Sequence, residues 1–218
     1  MKTVFITGTS RGIGKALAQL FLKNDFFVIG TSTKGVADFA HENLIMVQLD
    51  QTDSASIERC ARSAADLGKK IDILINNAAL WIEGDYEKEV DIFILRKTLE
   101  ANLVGIVDLT ERLIPLMNEN GHIINVSSRQ GSFGYITAMF TTSYSISKAA
   151  LNMYTRALAY RLADRVTVSA IHPGYVKTDM NEGEGELEPE EAAKDIYELA
   201  LRDVDTGKFW YKGEVFPW

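Results

Sequence analysis

The sequence predicts an α/β fold, a doubly wound parallel sheet with helices on both faces. Short continuous apolar runs alternate with helical patterns from one end of the 218 residues to the other, and buried parallel strands have this appearance. A glycine-rich turn follows the first run and opens the first helical pattern. No linker or internal repeat interrupts the series, so we predict one domain covering 1–218.

The predicted strands are short runs rich in Val, Ile, Leu and Phe, bounded by glycine or polar residues. In chain order they are Val4–Thr7, Phe26–Gly30, Leu44–Leu49, Ile71–Ile75, Gly121–Val126, Val166–Ile171 and a final short run at Lys208–Tyr211.

The predicted helices show apolar residues at helical spacing, as with Leu17, Leu20 and Phe21 in the first of them. The last begins at a proline, which suits the first turn of a helix. In order they are Ile13–Asn24, Ser54–Leu67, Ile92–Met117, Ser143–Ala163 and Pro189–Leu201. In such a sheet, ligands bind at the carboxyl ends of the strands, near the point where strand order reverses.

Composition excludes several classes of function. A net charge of −7 argues against a nucleic-acid or anionic membrane partner. The single cysteine, Cys60, excludes an intrachain disulfide and fits a reducing compartment. No signal-peptide pattern and no apolar run of membrane-spanning length is present, so we expect a cytoplasmic protein. His41, His122 and His172 lack ligand spacing, and no metal site is predicted.

The first turn has the form of a phosphate-binding loop, Thr7-Gly8-Thr9-Ser10-Arg11-Gly12-Ile13-Gly14. Glycines there let backbone N–H groups approach a pyrophosphate at the helix N-terminus. After the second strand comes Gly30-Thr31-Ser32-Thr33-Lys34, without the carboxylate that binds the ribose hydroxyls of NAD. Hydroxyls, Lys34 and Arg11 suit a 2′-phosphate instead, so the sequence favours NADP(H) over NAD(H).

Tyr144-Ser145-Ile146-Ser147-Lys148 places a phenol and an ammonium one helical turn apart. A positive charge about 4 Å away, at an effective dielectric of about 20, is worth about 4 kcal/mol, or about three pKa units. We therefore expect Lys148 to lower the pKa of the Tyr144 phenol so that it exchanges a proton near neutral pH. Ser127 and Ser128 both end a strand; spacing to Gly131 favours Ser128 as the residue beside Tyr144.

These motifs, in this order, resemble the short-chain dehydrogenase/reductase family over essentially the whole chain. The resemblance extends to Asp50 after the third strand, Asn76-Asn77-Ala78-Ala79 after the fourth, Asn102 in the long helix and Pro173-Gly174-Tyr175-Val176-Lys177-Thr178 after the sixth. The short chain and the sequence Gly207-Lys208-Phe209-Trp210-Tyr211 look like C-factor and sniffer-type carbonyl reductases.

The resemblance implies a single Rossmann-type NAD(P)-binding catalytic domain that interconverts a carbonyl and an alcohol by hydride transfer. Catalytic residues would be Ser128, Tyr144, Lys148 and Asn102, the last holding a helix kink and a water near the lysine. The cofactor would contact Gly8, Ser10, Arg11, Gly12, Ile13, Gly14, Thr31, Ser32, Thr33, Asp50, Gln51, Asn77, Ala78, Ala79, Tyr144, Lys148, Pro173, Gly174, Val176 and Thr178.

Two departures from the family pattern stand out. Ala79 replaces a glycine, so its methyl group would crowd the cofactor unless the site accommodates it. Ser128 and Tyr144 are 16 positions apart, a few more than is common in the family. An added loop at Tyr135–Thr142 would absorb the difference, and its Tyr135, Met139 and Phe140 would either line a substrate pocket or pack.

Other interpretations remain open at this stage. The chain could be a non-enzymatic NADPH-binding signalling or regulatory protein, since fold and cofactor do not determine function. Ser145-Ile146-Ser147-Lys148 also matches a serine acyl-transfer signature. The acidic segment Asn181–Glu191 is either a solvated loop or a mobile flap over the substrate. Trp210 and Phe216-Pro217-Trp218 would be core or subunit contacts. The substrate would be a small carbonyl or alcohol, and we expect a homodimer or homotetramer, with pairing through the long helices.

Overall fold

The computed structural model contains an eight-stranded sheet flanked by helices, and it describes residues 1–82, 89–135 and 141–218. Strand order across the sheet is β3-β2-β1-β4-β5-β6-β7-β8. The strands are β1 (Thr3–Ile6), β2 (Phe27–Ser32), β3 (Leu44–Gln48), β4 (Ile71–Asn76), β5 (Met117–Val126), β6 (Val166–Ile171), β7 (Lys208–Tyr211) and β8 (Glu214–Val215).

The first seven strands are parallel and the last pair is antiparallel. The predicted α/β class and doubly wound parallel sheet are therefore confirmed. Strand order reverses between β1 and β4, and the crevice at their carboxyl ends is where such folds bind ligands. The strand β8 was not predicted, because two residues carry no readable pattern.

The main helices are α1 (Gly12–Lys23), α2 (Ser54–Asp66), α3 (Ile92–Leu99), α4 (Gly105–Leu113), α5 (Thr142–Arg161) and α6 (Pro189–Leu201). Side-chain caps start several of them: Asp53 accepts from the Ala55 amide, and Asp91 accepts from the Phe93 amide. As expected, Pro189 stands at the first position of α6.

The predicted long helix Ile92–Met117 is wrong in two places. A π-helical turn, Glu100–Val104, separates α3 from α4, and a 3₁₀ turn at Ile114–Leu116 ends the helix before β5 begins at Met117. Periodicity alone does not reveal a π turn, since one extra residue shifts the apolar pattern only slightly.

Each face of the sheet carries its own hydrophobic cluster. One face packs Phe5, Leu74 and Ile123 against α2, α4 and α5. The other packs Ile6 and Ile75 among other strand residues against α1 and α6. With both faces covered, the carboxyl halves of the central strands β4, β5 and β6 are buried, and polar side chains collect at the carboxyl edge beyond them.

Candidate active site

The glycine turn between β1 and α1 is a tightly packed backbone cradle. Gly8 and Gly12 have φ of +74° and +53°, a region that side chains disfavour. A Cβ on Gly14 would lie 2.1 Å from the Gly8 carbonyl oxygen and 2.6 Å from Nδ2 of Asn77. The turn therefore requires glycine at 14 so that backbone can meet backbone, leaving the α1 N-terminus open to an anion. Ser10 and Arg11 are exposed beside it, and Ile13 is half-buried.

Thr7 and Asn77 hold this cradle against the neighbouring strand. Oγ1 of Thr7 accepts hydrogen bonds from the amides of Asn77 and Ala78, both at 2.9 Å. Nδ2 of Asn77 donates in return to the Thr7 carbonyl at 2.8 Å. We did not predict Thr7 as a site residue. The sequence feature that could have identified Thr7 is its position at the end of a strand, directly before the first glycine of the turn.

On the expected 2′-phosphate side, two predicted side chains are committed to the protein itself. Thr31 is buried and its Oγ1 accepts from the Gly8 amide at 3.2 Å. Oγ of Ser32 donates to the Val36 carbonyl at 2.8 Å. Thr33 and Lys34 are exposed and lie at the rim. At the end of β2, the side chains that remain available to bind a phosphate are therefore those of Thr33 and Lys34.

Arg11 reaches across the crevice to the segment after β6. Its Nη1 lies 3.0 Å from Oδ2 of Asp179, and both side chains are about 70% exposed. An exposed pair of this kind contributes little free energy, so the guanidinium can be drawn to another anion.

The expected adenine side is formed by Asp50 and Gln51. Oδ1 of Asp50 accepts from the amide and hydroxyl of Thr52 at 2.9 and 2.7 Å, and these bonds lower the pKa of the Asp50 carboxyl. Nε2 of Gln51 donates to the Ala101 carbonyl at 2.8 Å. The Gln51 amide nitrogen thus ties the turn after β3 to the π turn. Ala78 and Ala79 are half-buried.

Ser128 and Tyr144 meet at the carboxyl edge beyond β5. A hydrogen bond joins their hydroxyls and lowers the pKa of the Tyr144 phenol, but burial outweighs it and raises that pKa to about 12. The expectation of a Tyr144 pKa near neutrality is wrong for the protein alone, because desolvation of the phenolate dominates. Ser127 lies elsewhere: its Oγ donates to Oδ1 of Asn152 at 2.6 Å and is buried.

Lys148 is the third member of this group and is 1% exposed. Its Nζ donates to the Val126 carbonyl at 2.9 Å and lies 5.5 Å from the centre of the Tyr144 ring. Burial lowers the pKa of the ammonium to about 8. A charge held in the interior within reach of a phenol has an electrostatic influence that water screens poorly.

The glycine at 131, three positions after Ser128, is required by its close contact with α5. A Cβ at Gly131 would lie 2.6 Å from the backbone carbonyl carbon of Lys148. Only glycine lets the turn after Ser128 pack directly on the backbone of α5. This packing brings the Ser128 hydroxyl beside that of Tyr144.

Asn102 lies in the π turn and is fully buried. Its Oδ1 accepts from the Leu80 amide, its Nδ2 donates to the Leu80 carbonyl, both at 2.7 Å, and Nδ2 also lies 3.2 Å from Oγ of Ser147. The irregular helix expected at Asn102 is present. The side chain links the strand end after β4 to α5, one residue from Lys148.

The segment after β6 closes the far side of the crevice. Gly174 has φ of +93°, and a Cβ there would meet Leu187 at 2.4 Å. Val176 is buried and pairs with Leu187 in a parallel bridge. Thr178 packs 3.4 Å from the Cβ position of Gly12, and Pro173 is half-buried.

The acidic segment is tied to this loop by its backbone. The amides of Glu186 and Leu187 donate to the Tyr175 carbonyl, and the amide of Lys177 donates to the Leu187 carbonyl. Nζ of Lys177 also pairs with Glu188 at 2.5 Å. The segment is thus hydrogen-bonded to the 173–178 loop, and all six of its glutamates are exposed.

The remaining polar candidates have structural partners. Oγ of Ser145 donates to Gln130, not to Lys148, which removes the base an acyl hydrolase would need. His122 and His172 are buried, and burial lowers the pKa of each to about 4. In the described ranges, no three acidic, His or Cys side chains cluster as metal ligands, and no helix there is long and apolar enough to cross a membrane. Met139 and Phe140 lie outside the described residues.

Comparison with known proteins identifies the family. A family profile described as short chain dehydrogenase matches residues 2–189. The chain belongs to the short-chain dehydrogenase/reductase family. The recognition from sequence is therefore confirmed, and with it the general activity: members of this family are NAD(P)-dependent oxidoreductases that act on small molecules.

Individual relatives extend over nearly the whole chain. The chain is 32% identical to 1-hydroxy-2-glutathionyl-2-methyl-3-butene dehydrogenase of Rhodococcus sp. (strain AD45), covering 99% of each. The NADPH-bound carbonyl reductase from chicken fatty liver is 27% identical with a TM-score of 0.89, covering 100% of this short-chain dehydrogenase and 94% of the other. The carbonyl reductase Sniffer of D. melanogaster, at 24% identity, has the same fold, with a TM-score of 0.89 and full coverage of both chains.

Proposed function

We propose that this short-chain dehydrogenase/reductase, as one catalytic domain over 1–218, reduces a carbonyl to an alcohol with NADP(H), and catalyses the reverse. The observation that carries the proposal is the hydrogen-bonded pair Ser128 and Tyr144 beside buried Lys148. These three lie at the same edge of the sheet as the glycine cradle.

The cradle suits a dinucleotide, because its glycines let the backbone of the turn pack closely and so leave the N-terminus of α1 open to a pyrophosphate. When bound, the dinucleotide supplies or takes the hydride. Tyr144 then donates its proton to the carbonyl oxygen, and Ser128 hydrogen-bonds that oxygen and orients it. Lys148 stabilises the phenolate that remains after the proton has left, while Asn102 supports the backbone around it.

The raised pKa of Tyr144 determines how the rates of carbonyl reduction and alcohol oxidation depend on pH. The phenol is protonated at neutral pH, which suits proton donation and therefore carbonyl reduction. Alcohol oxidation requires the phenolate, so its rate should rise as the pH increases. We propose reduction as the direction that this site favours near neutrality.

The test is oxidation of NADPH, followed by its absorbance, with aldehydes, ketones and quinones. Turnover that disappears in Tyr144→Phe supports an enzyme of this kind. Tight binding of NADPH with no turnover on any of these compounds would contradict it and favour the non-enzymatic signalling or regulatory protein.

Preference for NADP(H) rests on charge. Thr31 to Lys34 contains no carboxylate, Arg11 and Lys34 are exposed cations nearby, and the chicken relative was solved with NADPH. Arg11 would exchange its partner Asp179 for the 2′-phosphate, because a doubly charged phosphate competes well against one exposed carboxylate.

We predict that Arg11→Ala weakens NADPH binding about tenfold, since a hydrogen bond to a charged group is lost, and leaves NADH binding unchanged. Asp179→Asn should tighten NADPH binding, as it frees the guanidinium. Dissociation constants from NADPH fluorescence measure both, with Arg62→Ala, an exposed arginine of α2, as the control. Equal affinity of the unaltered protein for NADPH and NADH would refute the preference.

We also propose that the protein pairs through α3 and α5, as a homodimer or within a homotetramer, and acts in the cytoplasm. Phe93, Ile146 and Met153 on these helices are 65%, 41% and 68% exposed, and burying such apolar side chains against a second copy would favour pairing. The buried free thiol of Cys60 fits a reducing compartment.

Sedimentation should give at least twice the 24.3 kDa mass of one chain at micromolar concentration. Met153→Glu should reduce that mass, because it buries a charge in the interface. Leu201→Glu on α6, also exposed, should not. A monomeric mass for the unaltered protein would refute the pairing.

A further inference from the structure

The residues Phe216–Trp218, here called the strap, cross back over the sheet from β8. The amide of Phe216 donates to the Phe209 carbonyl at 2.7 Å, which extends the contact with β7. The ring of Trp218 stacks on Phe209, with centroids 5.4 Å apart and planes at 24°. The guanidinium of Arg156 in α5 also lies over the Trp218 ring, 5.5 Å from its centre. The strap is therefore anchored to both β7 and α5.

The strap is hydrogen-bonded to the residues after Ser128, here called the post-serine loop (Ser128–Tyr135). Oγ of fully buried Ser132 donates to the Pro217 carbonyl at 2.8 Å. The amide of Gly134 donates to the Trp218 carbonyl at 3.0 Å. A Cβ at Gly134 would lie 3.3 Å from Cβ of Pro217, so the two backbones are in close contact.

Aromatic contacts reinforce the hydrogen bonds. Tyr135 packs on Phe216 with centroids 5.6 Å apart, and the Tyr135 hydroxyl accepts from Nη1 of Arg129 at 3.3 Å. Phe216 also lies 5.8 Å from the ring of His172, the residue before Pro173. One segment thus joins the loop after the serine to the loop expected beside the nicotinamide.

The post-serine loop passes this restraint directly to Ser128. Its first turn is closed by the Gly131 amide donating to the Ser128 carbonyl at 2.9 Å, and by the Gln130 amide donating to Oγ of Ser128 at 3.2 Å. Ser132 follows at once. The hydroxyl that contacts Tyr144 therefore belongs to a turn held on α5 by Gly131 and on the strap by Ser132.

We propose that the strap is a positioning element, which holds Ser128 at the place where it contacts both Tyr144 and a carbonyl substrate. The proposal rests on the function proposed above. The strap does not contact the glycine cradle in any described interaction, so it should affect substrate chemistry and not dinucleotide binding.

The test compares Trp218→Ala, which removes the stacking on Phe209 and Arg156, with Trp218→Phe, which retains an aromatic ring. Tyr160→Ala is the matched control, because Tyr160 is the other aromatic ring over Arg156, 5.7 Å away, and has no described contact with the post-serine loop. In Trp218→Ala we expect kcat/KM to fall about 100-fold, the scale for a misplaced catalytic group, with an unchanged dissociation constant for NADPH. Trp218→Phe should recover most of the loss.

A second readout separates positioning from general loosening. Since the Ser128 hydrogen bond lowers the Tyr144 pKa, its loss should move the pH profile of alcohol oxidation to higher pH in Trp218→Ala. A profile that stays in place, or a kcat/KM equal to that of Tyr160→Ala, would overturn the proposal.

Hydrogen exchange makes the result independent of turnover. The Gln130 and Gly131 amides, which donate to Ser128, should exchange faster in Trp218→Ala and at the original rate in Tyr160→Ala. If the unaltered protein reduces no carbonyl, the proposed function fails; faster exchange at these amides still supports the positioning, and unchanged exchange refutes it.

Discussion

Replacing Tyr144 with phenylalanine will lower kcat/KM for carbonyl reduction about 1,000-fold, or about 4 kcal/mol in the barrier, within the usual range for removing a general acid. Phenylalanine keeps the ring and deletes only the hydroxyl that contacts Ser128. Binding of NADPH should weaken far less than turnover, because the glycine cradle remains and Tyr144 is only one of the expected cofactor contacts. Steady-state kinetics and an NADPH fluorescence titration measure the two effects.

Tyr154 provides a matched control on the same helix. It is half-buried, and its hydroxyl donates to Glu111 at 3.0 Å, so Tyr154→Phe also removes one hydroxyl and one hydrogen bond. Its turnover should equal that of the unaltered protein. If Tyr144→Phe retained more than about a tenth of the activity, against the expected loss, another group would have to supply the proton.

Replacing Lys148 with methionine will abolish turnover and at the same time stabilise the protein. The lysine is 1% exposed, and burial lowers its pKa from 10.5 to about 8. That shift corresponds to a cost of about 3 kcal/mol to the folded state below pH 8. Losing the hydrogen bond to Val126 returns about 1 kcal/mol of it. We expect a net gain of about 2 kcal/mol, or about 4–8 °C in Tm.

The lowered pKa of Lys148 determines whether the stability of the protein rises or falls with pH. The unfolded lysine titrates at 10.5 and the folded one at about 8, so the unfolded state binds more protons between these values. Stability of the unaltered protein should therefore rise with pH across that window. The advantage of Lys148→Met is complete below pH 8 and disappears above 10.5.

Thermal unfolding at pH 7 and at higher pH measures the effect, with Lys23→Met, an exposed lysine in the last turn of α1, as the control that changes little. A variant less stable than the unaltered protein at pH 7 would show that the buried ammonium carries no cost. In that case the lysine would be a structural residue, and its proposed role beside Tyr144 would lose support.

Local sequence was sufficient wherever a short pattern has a single structural solution. The cradle is an example, because three glycines after a strand leave few ways to place the backbone. The side chains that hold the cradle in place were harder to foresee. Thr7 and Asn77 bond across two strands about 70 positions apart, and no local pattern records which strands are neighbours.

The sequence by itself determined the alternation of strands and helices, the glycine turn and the pairing of Tyr144 with Lys148, because each depends on residues within one turn or one strand. The sequence also favoured Ser128 over Ser127, through its spacing to Gly131, and the structure agrees: Ser128 bonds to Tyr144 and Ser127 bonds to Asn152. The tertiary structure alone decided what those hydroxyls are surrounded by. It also decided that burial raises the Tyr144 pKa, because desolvation depends on every group that surrounds the hydroxyl. The same reason applies to the strap, whose partners at Ser132 and Gly134 lie more than 80 residues away along the chain.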